Sequence, residues 1–92
     1  MVYLVTYDLN NEGKNYDAVI KAIKDSSTGA YCSFWRSSWL IKSNLSTADE
    51  VFKNIEPHVD PDDRILVVQV EDNKQGWLLP DQWEYITDSI FS

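Results

Sequence analysis

Tyr31-Cys32-Ser33-Phe34-Trp35-Arg36 is followed, after Ser37 alone, by Ser38-Trp39-Leu40-Ile41-Lys42-Ser43. Both runs are aromatic and aliphatic in the manner of strands, so this stretch predicts two successive strands joined near Arg36-Ser37. The junction has no Asn-Gly pair and no glycine, which leaves its turn type open. On the N-terminal side, Tyr16, Val19, Ile20 and Ile23 recur at i, i+3, i+4 and i+7, one apolar face of a helix with Asn15 as its N-cap. Ser26-Ser27 ends that helix and Gly29 breaks it. On the C-terminal side Ser46 is placed as the cap of a second helix, with Asp49 at the third position of a capping box. Ala48, Val51, Phe52 and Ile55 form its apolar stripe, and Pro57 closes it.

Outside the two helices lie two more strands. Tyr3 to Tyr7 is an unbroken run ending at Asp8, followed by the polar loop of residues 9–14. Ile65-Leu66-Val67-Val68-Gln69-Val70 follows the turn Asp60-Pro61-Asp62-Asp63, where proline takes its preferred second position. After the polar loop of residues 71–76, Pro80 opens a last helix as its first residue, with Trp83, Ile86 and Ile90 on one side. The order is β-α-β-β-α-β plus a C-terminal helix. That is the split βαβ pattern of the ferredoxin-like α+β fold, an antiparallel sheet with two helices on one face. The expectation is one domain over residues 1–92.

The helix-free face of this sheet is unusual. A solvated face should alternate with polar residues, yet the first and last strands are apolar on both sides. Either the C-terminal helix folds back over that face or a second copy packs there, and the small size of the chain favours a homodimer.

Composition narrows the setting. One cysteine, Cys32, makes no disulfide within the chain and points to a reducing compartment. No basic leader precedes Val2, and no apolar run approaches the roughly 18–20 residues that span a bilayer. The expectation is a cytoplasmic protein without a membrane partner. Fifteen acidic against eight basic residues give a net charge of −7. That disfavours broad phosphate binding and leaves nucleic acid to a local patch, with a protein partner open as the alternative.

The end of the first strand, Leu4-Val5-Thr6-Tyr7-Asp8-Leu9, together with the element order, the serine-bearing hairpin and the capped second helix, resembles the CRISPR-associated spacer-acquisition endoribonuclease family. The likeness is greatest to its short standalone relatives and covers about residues 2–70. It implies a metal-dependent, nuclease-like homodimer in which Asp8 meets its symmetry mate and binds Mg²⁺ or Mn²⁺ as the catalytic cation. It also implies phosphate contacts, for which Arg36 and Lys42, with Ser37 and Ser38, are the candidates. Two features depart from the family. The chain is acidic, and Leu79 to Phe91 reads as helix where the family often adds a strand.

Other readings of the same residues stay beside this one. Asp8 also suits a strand end leading into a loop. Asp60, Asp62 and Asp63 read as turn chemistry, since they lack the spacing and glycine of a calcium loop. His58 suits a helix end, and Cys32 a buried small residue. Trp35 and Trp39, interleaved with Arg36, suit either cross-strand packing or stacking on unpaired bases. Trp77 and Trp83 are expected to dock the last helix. The rival function is a non-catalytic acidic interaction module, a toxin–antitoxin, phage or defence-associated regulator with the same fold.

Overall fold

The computed structural model describes residues 1–10 and 16–92. The strands are β1 (Val2–Asp8), β2 (Tyr31–Trp35), β3 (Ser38–Lys42) and β4 (Arg64–Val70), in the spatial order β2-β3-β1-β4 with every pairing antiparallel. Helix α1 (Tyr16–Asp25) joins β1 to β2, and α2 (Ala48–Ile55) joins β3 to β4. This is a ferredoxin-like sheet. Its register is long-range: Val2 pairs with Lys42 and Val70, Thr6 with Ser38 and Leu66, and Asp8 with Arg64.

Successive strand residues point to opposite faces. Tyr3, Val5 and Tyr7 of β1 therefore join Ile41, Ile65 and Val67 on the face that packs against Val19, Ala22 and Ile23 of α1 and Val51 and Ile55 of α2. Tyr3 is fully buried, and its hydroxyl donates to the Leu45 carbonyl at 2.7 Å. Small polar groups lock the ends of the layers together. The Ser43 hydroxyl donates to Ser26 O at 2.6 Å, and the Ser26 hydroxyl donates to Ala22 O at 2.9 Å. Asn54 Nδ2 adds a bond to Ser26 Oγ. Helix α1, β3 and α2 thus meet at one satisfied polar knot.

The second face is covered by the chain itself, over half its length. Helix α3 (Pro80–Tyr85) continues as a π-helical turn, Ile86–Ile90. It lays Ile86 and Ile90 on Val2 and Cys32, with Phe34, Leu40 and Val70 around them. The Tyr85 hydroxyl accepts the Tyr31 N–H at 3.1 Å, and Tyr85 meets the Phe34 ring edge-on. Burial beneath this layer pushes the Cys32 thiol up to about 11, because a thiolate there would lose its hydration. Of the two alternatives for this face, the fold-back of the C-terminal helix is the one the chain adopts, where a second copy was favoured, and the end of the face that carries Thr6, Leu66 and Asp8 lies beyond it.

Local details differ from the sequence reading. Thr47, not Ser46, caps α2: its backbone is extended, and its hydroxyl accepts the Glu50 N–H at 3.1 Å. Pro57 does close α2, which ends at Ile55, and it sits inside the 3₁₀ turn that follows, Glu56–His58, where its missing N–H costs nothing. Pro80 does open α3, whose first turn is held by Gln82 Oε1 accepting the Leu79 N–H. Asn15, the expected cap of α1, lies outside the described residues. Trp77 does not dock the last helix: it is 100 % exposed, while Trp83 is half-buried. No helix among the described residues is long and apolar enough to cross a membrane.

Candidate functional site

The register gathers chemistry at one corner of the sheet. Asp8 ends β1 opposite Arg64, the first residue of β4. On its other side the Tyr7 N–H donates to Ser37 O at 3.0 Å, which brings the Arg36-Ser37 turn to the level of Asp8. Asp8, Arg36 and Arg64 are all exposed. One residue pair further in, the hydroxyls of Thr6 and Ser38 share a hydrogen bond of 3.0 Å on the helix-free face. Thr6, Asp8, Arg64 and Leu66 line a shallow depression of about 340 Å³.

Of the residues expected from sequence, the structure therefore brings Asp8, Arg36, Ser37 and Ser38 to one end. Lys42 is at the other. It is four residue steps along β3 from Ser38, about 13 Å at the rise of a strand, and its ammonium donates to Ser92 O at 3.1 Å and to Ser92 Oγ. Arg64 and Thr6 belong to the corner and were not anticipated. A basic residue opening the last strand was the available signal for Arg64, but only the strand pairing sets it beside Asp8.

Ser37 has φ +57, a left-handed conformation that a side chain pays for. It fills the position of the β2–β3 turn where glycine or asparagine is usual, which explains why the turn was unreadable. Ser37→Gly is expected to stabilise the fold by about 0.5–1 kcal/mol, the relief of the left-handed penalty less the extra entropy of an unfolded glycine. Chemical denaturation would register this as a higher midpoint at unchanged slope.

The loop entering β4 supplies three more carboxylates to this corner. The turn forms as expected, with the Asp63 N–H donating to Asp60 O at 3.0 Å. Asp63 is buried. Its Oδ1 accepts the Asn10 N–H at 2.9 Å and its Oδ2 the Asp60 N–H at 2.8 Å, so one side chain ties the exit of β1 to the entrance of β4. Asp62 accepts from Asn10 Nδ2. One carboxylate oxygen from each of Asp60, Asp62 and Asp63 lies within 4.8 Å of the others, an arrangement that can chelate a metal ion.

The two tryptophans of the hairpin part company. Trp39 turns to the helix side, where its Nε1–H donates to Tyr7 Oη at 3.3 Å and Lys24 lies over its ring. Trp35 lines a separate apolar cavity of about 290 Å³ with Trp77, Trp83 and Phe91. They cannot form one stacking platform. His58 is exposed at the end of its 3₁₀ turn.

No known protein family, curated protein or solved structure matches this chain. The ferredoxin-like fold rests on the strand order and its antiparallel pairings, and no match places the chain in the CRISPR-associated family.

Proposed function

We propose that the chain is a divalent-cation-dependent, nuclease-like protein that takes a phosphodiester of RNA or DNA at this corner of the sheet. The observation that supports this reading is the register that sets Asp8 beside Arg64 and level with the Arg36-Ser37 turn. Cations and carboxylates then stand together next to a three-carboxylate loop. Mg²⁺ and Mn²⁺ take oxygen ligands, and the donor set fits: Asp60, Asp62 and Asp63 would hold the ion, or Asp8 with them. Such an ion, when bound, polarises a phosphoryl oxygen and lowers the pKa of water.

The chain's own groups do the rest. The guanidinium of Arg36 offers forked donors to phosphate oxygens, Arg64 keeps the donors left beyond its Nη1, which bonds the Asp62 and Asp63 carbonyls, and the hydrogen-bonded Thr6–Ser38 hydroxyl pair lies on the same face. A net charge of −7 opposes long-range attraction, but screening over about 8 Å leaves the arginines to act locally.

Manganese-dependent cleavage of labelled single-stranded RNA and DNA tests the reading. Asp8→Ala is expected to lower cleavage at least about a hundredfold, the scale for loss of a group acting on the reacting atoms. Its circular dichroism should be unchanged, because Asp8 is exposed. Full activity in that variant would overturn the role of Asp8, and no cleavage by the wild type would overturn the reading itself.

The rival module that binds a protein is favoured by one observation, the exposure of Trp77, Leu66 and Leu79 on an acidic chain. It requires no salt-sensitive affinity for any oligonucleotide, and such binding would count against it.

A further inference from the structure

The two edges of the sheet are built differently. β2, at one edge, has five residues, with an irregularity between Cys32 and Trp35, and Cys32 and Phe34 lie under the C-terminal helix. β4, at the other, runs seven residues in unbroken register with β1. It contains no proline, no lysine and no bulge, the usual devices that keep a strand edge from pairing. It also leaves apolar side chains in water: Leu66 is 60 % exposed and Val68 39 %.

We propose that β4 pairs antiparallel with β4 of a second copy, about a two-fold axis through Val67 and perpendicular to the sheet. This goes beyond the reading of the corner and does not depend on it. The strand is complementary to itself in this register. Val67 faces the partner's Val67, and Leu66 faces the partner's Val68 at two symmetric places, so the two exposed apolar residues cover each other. Arg64 faces the partner's Val70 at the two ends of the ladder, so no charge opposes a like charge within it. The turn at Asp60–Asp63 before the strand and the Glu71–Asn73 turn after it confine the pairing to Arg64–Val70. Because the opposite edges are short and irregular, the association closes at two copies.

The arrangement has a consequence for Asp8. In a continuous eight-stranded sheet the two Asp8 residues lie six residues apart along the strands and three strand spacings across, roughly 25 Å. They cannot share an ion. Each chain keeps its own corner, both on the same side of the sheet.

Light scattering on the full chain after size exclusion tests the pairing, with a dimer expected and with Leu66→Lys expected to be a monomer of unchanged circular dichroism. A wild-type monomer at every concentration, or a dimer indifferent to Leu66→Lys, would overturn the proposal. Mild oxidation of a mixture of Leu66→Cys and Val68→Cys chains should give a disulfide-linked pair far faster than either variant alone, since opposed residues fall within disulfide reach. Equal cross-linking in the unmixed variants would overturn the axis at Val67. Mn²⁺ calorimetry separates this proposal from the functional one: one ion per chain fits the edge dimer, one per pair contradicts it, and no ion sinks only the metal reading.

Discussion

Ile90→Asp is expected to strip the C-terminal helix from the sheet and leave little native protein. Ile90 is fully buried and, with Ile86, covers Val2 and Cys32. Placing a carboxylate there without a partner costs about 4 kcal/mol or more, a large share of the 5–15 kcal/mol that holds a typical domain. Ile90→Ala, which leaves only a cavity, should cost about 2–4 kcal/mol and still fold. The single thiol reports the event directly. Cys32 in the wild type is buried, and burial pushes its thiol up to about 11 from an ordinary 9.0, so it should react slowly with a thiol reagent. In Ile90→Asp the thiol should become reactive at the rate of an unfolded cysteine. A Cys32 as slow in Ile90→Asp as in the wild type would show that the helix is not what shields it.

The second large effect belongs to Asp63. Asp63→Ala removes the acceptor for two backbone N–H groups, those of Asn10 and Asp60. Hydrogen bonds to a charged group contribute about 1.5–3 kcal/mol each, and losing both should cost about 3 kcal/mol in urea denaturation. Asp63→Asn keeps one acceptor oxygen and should lose roughly half as much. Because the same side chain joins the exit of β1 to the entrance of β4, the Ala variant should also lose the alignment of Asp8 with Arg64. A stable Asp63→Ala variant would mean that the turn holds itself by Pro61 and the Asp63-to-Asp60 backbone bond alone.

Much of the architecture was legible because the strands carry apolar residues on both faces. That pattern in Tyr3–Tyr7 and Ile65–Val70 points to a sheet covered on both sides, and Pro80, Ile86 and Ile90 mark a helix, but nothing in the pattern chooses between that helix and a second copy as the cover; the packing of Ile86 and Ile90 on Val2 and Cys32 does. The errors are local. Ser46 and Thr47 are equally good caps by residue type, and only the backbone angles chose Thr47. Trp77 looked like a docking residue because tryptophan usually buries itself, yet it stands free.

The corner was half legible. Asp8, Arg36, Ser37 and Ser38 were found through the resemblance and do lie together. Lys42 was grouped with them because hairpin residues are close in sequence, although a strand's length separates its two ends. Arg64 and Thr6 were missed since a neighbour across strands has no signature in sequence. The close approach of Asp60, Asp62 and Asp63 follows from a tight turn folded onto Asn10, a contact between residues more than fifty apart.

The position of β1 bears on how the chain is made. It leaves the ribosome before both of its neighbours, yet it ends in the middle of the sheet, between β3 and β4. Its second neighbour is not synthesised until residue 70. A nascent chain therefore carries a sticky, two-sided segment from the start and cannot satisfy it until most of the protein exists, and the helix that seals the far side comes later still. Folding of this kind is committed late, through distant pairings that close slowly.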